Sequence, residues 1–244
     1  MLERHGDLMS LEEILTNVLL MLLCYGYIGV VIFVSGKIDK ILKISQKTAR
    51  KFLHVMIGNL PFIIPFFSLK IFPTFVAAPF ILVTFLATPY SPFTRLNRKL
   101  KGLSVITEKG HQWGLVFYAV SYTCLAFLFA PQPYIIAAGI LPMAYGDAAA
   151  SIVGEKYGRH KYKLVAKKSL EGSIAMFLTC LASLGGSMLF FAFIYQFPFS
   201  SYVLAVLAAS AVTTLVEGFS PMGFDNLTVP AFGVLSFMLF GGGI

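Results

Sequence analysis

One acidic residue stands inside a run that is apolar enough to cross a bilayer. Asp147 lies within residues 133–153, and a spanning helix needs about 20 such residues. An ionised carboxylate is costly in hydrocarbon, so we interpret Asp147 as part of a functional site. On a helix, Ser151 and Gly154 share its face, which leaves room for a ligand. The alternative is a structural acid that pairs with a polar group on a neighbouring span.

A basic loop with two glycines follows about two helical turns after this acid. Gly154 and Gly158 allow backbone amides to approach an anion, and Lys167 and Lys168 are two of the six cations in the loop. Amides combined with Lys or Arg commonly bind phosphate, although the spacing of a Walker A loop is absent. The alternative is a basic loop beside anionic lipid, and charge alone does not decide between the two.

The segment that opens the next apolar span has the residue types of a helix N-terminus. Ser169 is a natural N-cap residue, and Glu171 suits the first turn, just before Gly172. A helix N-terminus beside Lys168 also favours phosphate. Capping and phosphate binding are compatible, so we expect both.

Two further acids flank a short connection that carries no Lys or Arg. Glu217 ends an apolar span at the end of a polar stripe, and Asp225 and Asn226 come eight residues later. We interpret this cluster as functional because its acids have no cation in their own connection. The alternative is that Asp225 or Asn226 caps the last span, with Pro230 in its first turn, and that Glu217 is solvated.

A third polar group precedes the second apolar span. Arg50 and His54 share a helix face at i, i+4 spacing and follow a basic amphipathic stretch, residues 37–51. For the lysines of this stretch we favour a helix at the membrane surface whose side chains extend to water. Arg50 and His54 are expected to reach the site.

The elements that position these residues are predicted to be membrane helices. Hydrophobic residues make up 57% of the 244-residue chain and charged residues 12%, against about 25% charged in soluble domains. We predict an all-α integral membrane protein with one membrane domain, residues 1–244, and no soluble domain. Eight spans are expected, near 14–34, 54–71, 73–90, 112–130, 133–153, 172–196, 201–217 and 227–244. Seven are possible, because the second and third spans meet at Pro73.

The cations are distributed very unevenly over the predicted connections. With eight spans, the connections after spans one, three, five and seven share one side of the membrane, and that side carries 17 of the 19 Lys and Arg residues. The positive-inside rule makes it cytoplasmic, with both termini outside. We therefore expect a multi-pass protein of the plasma membrane or an endomembrane, with its active-site loops facing the cytosol.

In this order, the motifs resemble those of the polyprenol and dolichol kinase, phytol kinase and CTP-dependent diacylglycerol kinase family. The resemblance covers about residues 50–230. It rests on Arg50-Lys51-x-x-His54, Gly146-Asp147-Ala148-x-Ala150 with Gly154 and Gly158, Lys168-Ser169-x-Glu171-Gly172, and Glu217 with Asp225-Asn226 and Pro230.

The resemblance implies transfer of the γ-phosphoryl group of CTP to a lipid alcohol, with Mg²⁺. Asp147, Glu217 and Asp225 are then the candidate catalytic and metal-binding residues. The candidate nucleotide- and phosphate-binding residues are Arg50, His54, Gly154, Gly158, Lys167, Lys168, Ser169, Glu171, Gly172 and Asn226. The expected partners are CTP from the cytosol and a lipid alcohol from the bilayer, with a long isoprenoid alcohol first and diacylglycerol second. No nucleic-acid partner is expected, and a homodimer is possible.

Two other classes remain as alternatives. The related CDP-lipid synthases release pyrophosphate and accept a phospholipid acid, but their late block, a basic-acidic pair before a Gly-rich run with Asp, is missing here. A transporter is the second alternative, although transporters tend to have inverted repeats and sites near the midplane. The polar residues of this chain instead collect at one face.

Overall fold

The structure, a computed structural model, describes residues 10–93, 95, 112–165, 167–221 and 223–243. Most of the predicted basic connection after span three, from Arg98 to Lys109, lies outside these residues. The described part is mainly helical. Its α-helices and strands include α1 (Leu11–Leu42), α2 (Gln46–Ile57), α3 (Phe72–Ala77), α4 (Pro79–Leu86), α5 (Gly114–Phe129), α6 (Pro133–Leu141), α7 (Asp147–Lys156), β1 (Lys161–Lys163), β2 (Lys167–Ser169), α8 (Leu170–Tyr195), α9 (Val203–Phe219) and α10 (Asp225–Phe237).

Four stretches of the described chain form helices long and apolar enough to cross a membrane. They are Leu11–Ile38, Pro133–Lys156, Leu170–Tyr195 and Phe199–Phe219. Two apolar helices are shorter, Phe72–Leu86 and Gly114–Phe129. A helical membrane protein is therefore the fold class, and the count of eight spans and their orientation stay predictions.

The predicted second span is not one continuous helix. Residues 54–71 contain the end of α2 and then a 3₁₀ helix, Leu60–Phe66, that carries Pro61 and Pro65. Proline has no backbone N–H to donate, so an α-helix cannot run through this pair without losing hydrogen bonds. Ser45 caps α2, because its hydroxyl accepts a bond of 3.1 Å from the backbone N–H of Thr48.

The centre of the molecule is the continuous helical rod of α6, a π-helical turn and α7. The π turn, Pro142–Gly146, ends directly before Asp147. A proline inside a helix removes one hydrogen bond, and a π turn is one way in which the ladder absorbs that loss. About 78% of this rod's most apolar window is buried inside the protein, so it serves as the core against which the outer helices pack.

A short antiparallel hairpin, which the sequence analysis did not predict, joins α7 to α8. Lys161 pairs with Ser169 and Lys163 with Lys167. Ser169 then caps α8 as predicted, since its side chain accepts a bond of 3.2 Å from the backbone N–H of Gly172. The hairpin thereby fixes Lys168 immediately before the N-terminus of α8.

The last helix does not begin as the alternative interpretation of Asp225 and Asn226 required, with one of them as its cap and Pro230 in its first turn. Helix α10 begins at Asp225 itself, and Pro230 lies in the helix interior rather than in the first turn. In a regular helix, residue 230 would donate to the carbonyl of Asn226. That carbonyl instead accepts a bond of 2.6 Å from the hydroxyl of Ser121 on α5. The neighbouring helix therefore satisfies the group that proline leaves free.

Candidate active site

A polar cavity of about 640 Å³ lies where α2, α7, the hairpin, α8 and the ends of α9 and α10 meet. Its size falls in the range of ligand pockets, about 300–1,000 Å³. The lining residues are Lys47, Arg50, Lys51, Asp147, Ala150, Ser151, Gly154, Glu155, Lys161, Val165, Lys167, Lys168, Ser169, Gly172, Ser173, Glu217, Ser220, Pro221 and Asp225. Three separate connections of the sequence thus contribute to one site.

Asp147 forms a buried ion pair with Lys51. The lysine Nζ donates to Oδ2 of the carboxylate, and each side chain is less than one tenth exposed. A buried charge that has lost its hydration needs a partner of this kind. The pair connects the only described acid in the central rod's apolar part to α2, and so links the two halves of the cavity wall.

A second lysine pairs with the second acid. Lys168 Nζ donates to Oε1 of Glu217, whose side chain is 3% exposed. Burial alone would lower the pKa of Lys168, but the negative charge of Glu217, aided by Asp147 and Asp225, raises that pKa above its usual value. Lys168 is therefore a fixed positive charge at neutral pH.

Asp225 is the third acid of the cavity, and its neighbour holds it in place. Oδ1 of Asp225 accepts bonds of 2.9 Å from the backbone N–H and 3.0 Å from the side-chain amide of Asn226. Both residues are buried. Asn226 therefore orients the carboxylate, whereas the sequence analysis assigned it to the nucleotide.

The glycines of the predicted phosphate loop allow α7 and the start of α8 to lie in close contact. A Cβ added to Gly172 would lie 2.8 Å from the carbonyl oxygen of Ala150 and 3.3 Å from the Cα of Gly154. A Cβ on Gly158 would come within 2.6 Å of the Ser169 hydroxyl. Backbone therefore forms this wall of the cavity, where side chains would otherwise fill it.

The predicted residues divide into three groups in the structure. Arg50, Lys167, Lys168, Ser169, Gly154, Gly172 and the three acids all line the cavity. Gly158 and Asn226 do not line the cavity, but Gly158 lies close to Ser169 and Asn226 donates a hydrogen bond to Asp225, and both of these residues line it. Glu171 is engaged elsewhere, because its carboxylate accepts bonds from the backbone N–H of His160 and lies 2.7 Å from its ring Nδ1.

His54 does not line the polar cavity as the i, i+4 pattern with Arg50 suggested. Its ring packs against Tyr118 of α5 at 4.7 Å between centroids, and it contributes to an apolar cavity on the next turn of α2. The shared face keeps His54 close to Arg50 on α2, but the helical rise of one turn moves its side chain out of the polar lining.

Sequence reasoning misses Lys51, because the pattern of residues 37–51 favours a membrane-surface role for all of its lysines. Its spacing to Lys47 is that of any basic amphipathic helix, so the pattern did not distinguish it. Lys47 pairs with Glu155 in a partly exposed contact, and Lys161 Nζ donates a bond of 2.9 Å to the carbonyl of Gly154. The acid at 147 was the one available signal, because a buried carboxylate implies that some cation must reach it.

The donor chemistry of the cavity fits a magnesium ion in part. Asp147, Glu217 and Asp225 offer the hard oxygen ligands that Mg²⁺ prefers. Among the described residues, no group of three such side chains is arranged to hold a metal by itself, and two of the three carboxylates are paired with lysine. Mg²⁺ commonly takes only one or two carboxylates together with substrate phosphates, so the residues fit that kind of site.

The chain is similar to several proteins of known name. It is 33% identical over 209 residues to phytol kinase of Synechocystis, which covers 84% of each chain. It is 29% identical over 204 residues to dolichol kinase of Saccharomyces cerevisiae, covering 78% of this chain and 36% of that one. Over 87 residues it is 32% identical to a CTP-dependent diacylglycerol kinase of Schizosaccharomyces pombe, covering 35% of this chain and 39% of that one.

No family model matches the chain, and no solved structure matches it. The identity to phytol kinase nevertheless extends over most of both sequences. The chain belongs to the family of lipid-alcohol kinases that includes phytol kinase and dolichol kinase, and is a phosphotransferase with an alcohol as acceptor.

Proposed function

We propose that this protein transfers the γ-phosphoryl group of CTP to a long isoprenoid alcohol at the cytoplasmic face of the membrane. The observation that supports this most is the convergence of two buried lysine–carboxylate pairs and Asp225 on one cavity. Phosphoryl transfer depends on positioning and on charge neutralisation. Paired cations and carboxylates at a backbone-lined wall supply both.

The cations of the cavity bind the nucleotide phosphates in this proposal. Arg50 and Lys167 neutralise the triphosphate, together with Lys51 and Lys168 once these exchange a carboxylate for a phosphate oxygen. The N-terminus of α8, capped by Ser169, adds a favourable partial positive charge. The same exchange frees the carboxylates of Asp147 and Glu217 from their lysines, so that they can bind the metal or accept a proton.

The released acids act on the metal and on the acceptor. Asp225, with Asp147 or Glu217, would hold Mg²⁺, which supplies further neutralisation of phosphate charge. The alcohol oxygen attacks the γ-phosphorus in line, a P–O bond to CDP breaks, and CDP leaves. The hydroxyl proton goes to a carboxylate, and Asp147 is preferred because it lies inside the apolar run of residues 133–153, from which the lipid alcohol would approach.

The identity of donor and acceptor rests on the relatives rather than on contacts within this chain. One relative is named a CTP-dependent kinase, and others are named for the isoprenoid alcohols phytol and dolichol. The cytosolic orientation rests on the 17 of 19 cations that share one predicted side.

The test is a donor and acceptor panel with purified protein and Mg²⁺. CTP, ATP, GTP and UTP are each offered with phytol, a polyprenol, diacylglycerol and phosphatidic acid. CDP together with a phosphorylated isoprenoid alcohol supports the proposal, and a preference for ATP or for diacylglycerol would contradict its donor or acceptor. Pyrophosphate with a CDP-lipid would move the protein to the CDP-lipid synthases, and silence with every donor would favour a transporter.

A further inference from the structure

A second cavity lies one helical turn beyond the polar one, and its walls are apolar. It is enclosed by α1, α2, α3, α4 and α5, with Ile28, Leu53, Ile57, Phe80, Leu115 and Ala119 among the lining residues. The cavity is narrow, about 70 Å³. This is room for part of a hydrocarbon chain and not for a whole lipid.

Helix α2 places the two cavities end to end. Arg50 and Lys51 line the polar cavity, and Leu53 and His54 line the apolar one. Leu53 follows Arg50 by three residues, and His54 follows Lys51 by three residues. The residues that line the apolar cavity therefore lie about one turn, or 4.5 Å, further along the helix axis and point in a similar direction. The two cavities are therefore adjacent along α2, with His54 in the lining of the apolar one.

We infer that the apolar cavity binds the part of the acceptor's hydrocarbon chain next to its hydroxyl group, an inference that rests on the proposed function. The hydroxyl of the alcohol then lies at the Lys51–Asp147 pair, and the rest of the tail extends into the bilayer. An alcohol bound this way presents its oxygen to the polar cavity while its apolar chain stays out of water. Because the tail of a bilayer lipid is already out of water, van der Waals contacts with the cavity wall supply the binding free energy.

A fixed wall supports this use of the cavity. The hydroxyl of Tyr118 donates a bond of 3.0 Å to the carbonyl of His54, which fastens α5 to α2. Ala119 follows on the same helix and borders the space with a single methyl group. A larger side chain at this position would occupy the room that a substrate chain needs.

The first experiment is photo-crosslinking, which reads binding without catalysis. Phytol that carries a diazirine on a carbon near its hydroxyl is bound to the wild-type protein without nucleotide, and labelled peptides are mapped. We expect labels on residues 115–122 and 53–60, and we expect an excess of unlabelled phytol, added before irradiation, to prevent this labelling. Labels confined to other helices would overturn the inference, even if the protein proves to be a kinase.

The second experiment separates this site from the catalytic one. Ala119→Leu is expected to raise KM for a long alcohol by about tenfold, the usual effect of misfit in an apolar pocket, while KM for the nucleotide stays unchanged. Ala77→Leu, from a different wall of the cavity, tests the same point if Ala119→Leu does not fold. Cys124→Leu, on an exposed part of the same helix, is the matched control.

The two experiments distinguish a failure of this inference from a failure of the proposed function. If the wild type phosphorylates no alcohol, the proposed function fails and the crosslinking map still decides the occupant of the cavity. If the wild type is active and both cavity variants keep the KM for long alcohols, the acceptor chain lies elsewhere and the inference is wrong.

Discussion

Lys51 on α2 and Asp147 at the start of α7 form a buried ion pair across 96 residues of sequence. The pair joins an amphipathic helix near the N-terminus to the central rod of the molecule. Neither residue is stable in this environment as an isolated charge. The contact therefore couples the folding of the chain to the assembly of its candidate active site.

The first prediction concerns this pair. Lys51→Met leaves the Asp147 charge buried without its partner, and we expect a loss of about 3–5 kcal/mol in the free energy of unfolding. The double variant Lys51→Met with Asp147→Leu should recover much of that stability but no activity. Lys47→Met is the control, because its partly exposed pair with Glu155 should contribute about 1 kcal/mol or less. Denaturation in detergent measures all three, and equal losses for Lys51→Met and Lys47→Met would contradict the account.

The second prediction concerns the pH dependence of stability at Lys168. The ordinary pKa of lysine is 10.5, and in the folded protein the pKa of Lys168 is raised. A raised pKa gives stability that is complete below the ordinary value and is lost as pH rises through the folded value. The thermal midpoints of wild type and Lys168→Met should therefore differ by a constant amount between about pH 7 and 10 and converge only above that range.

The matched control for this titration is Lys167→Met. Lys167 lies next in sequence but is exposed, so Lys167→Met should change the free energy of unfolding by about 0.5 kcal/mol or less. Convergence of the Lys168→Met and wild-type curves already near pH 8 would mean that Lys168 loses its proton there, and the proposed fixed charge would be wrong.

The third prediction compares two glycines of α8. Gly172→Ala brings a methyl group to within 2.8 Å of the Ala150 carbonyl oxygen, so α7 and α8 must separate, at a cost of about 1–3 kcal/mol. Turnover should fall with it, because the same contact forms the cavity wall. Gly185→Ala meets open space and should gain up to about 1 kcal/mol from helix propensity. Thermal midpoints and turnover numbers of the two variants test this comparison. A Gly172→Ala variant with the stability and turnover of the wild type would refute the close-contact role of Gly172.

The fourth prediction compares two buried tyrosines of α5. Tyr118→Phe removes the bond to the His54 carbonyl and should cost about 1 kcal/mol. The hydroxyl of Tyr122 is buried without a hydrogen-bond partner among the described residues, so Tyr122→Phe should be neutral or stabilising. Unfolding curves of the two variants in detergent check the difference. A larger loss for Tyr122→Phe would show that its hydroxyl has a partner.

The acids of the site were predictable from the sequence, and their partners were not. Asp147 is recognisable because a carboxylate in an apolar run costs free energy that only a function or a partner offsets. Lys51 follows the same 3.6-residue pattern as every other basic residue of its helix. Only the packing of α2 against α7 selects it, and that contact is long-range.

The local elements were predictable to the extent that single residues determine them. Ser169 caps α8 as its type suggests, whereas Pro230 lies inside α10 because Ser121 on a different helix satisfies the freed carbonyl. The hairpin escaped prediction because its strands have three residues each, too few for an alternating pattern. The break after α2 follows from Pro61 and Pro65, which an apolar-run count ignores.

The most direct test of the central claim is to follow two radiolabels in parallel reactions with purified protein, Mg²⁺, phytol and phosphatidic acid. One reaction contains CTP labelled in the γ-phosphate, and the other contains CTP labelled in the α-phosphate. The account predicts that only the γ-label enters the lipid fraction and that the α-label is recovered in CDP. Entry of the α-label into lipid would show cleavage between the α- and β-phosphates, and would contradict a kinase.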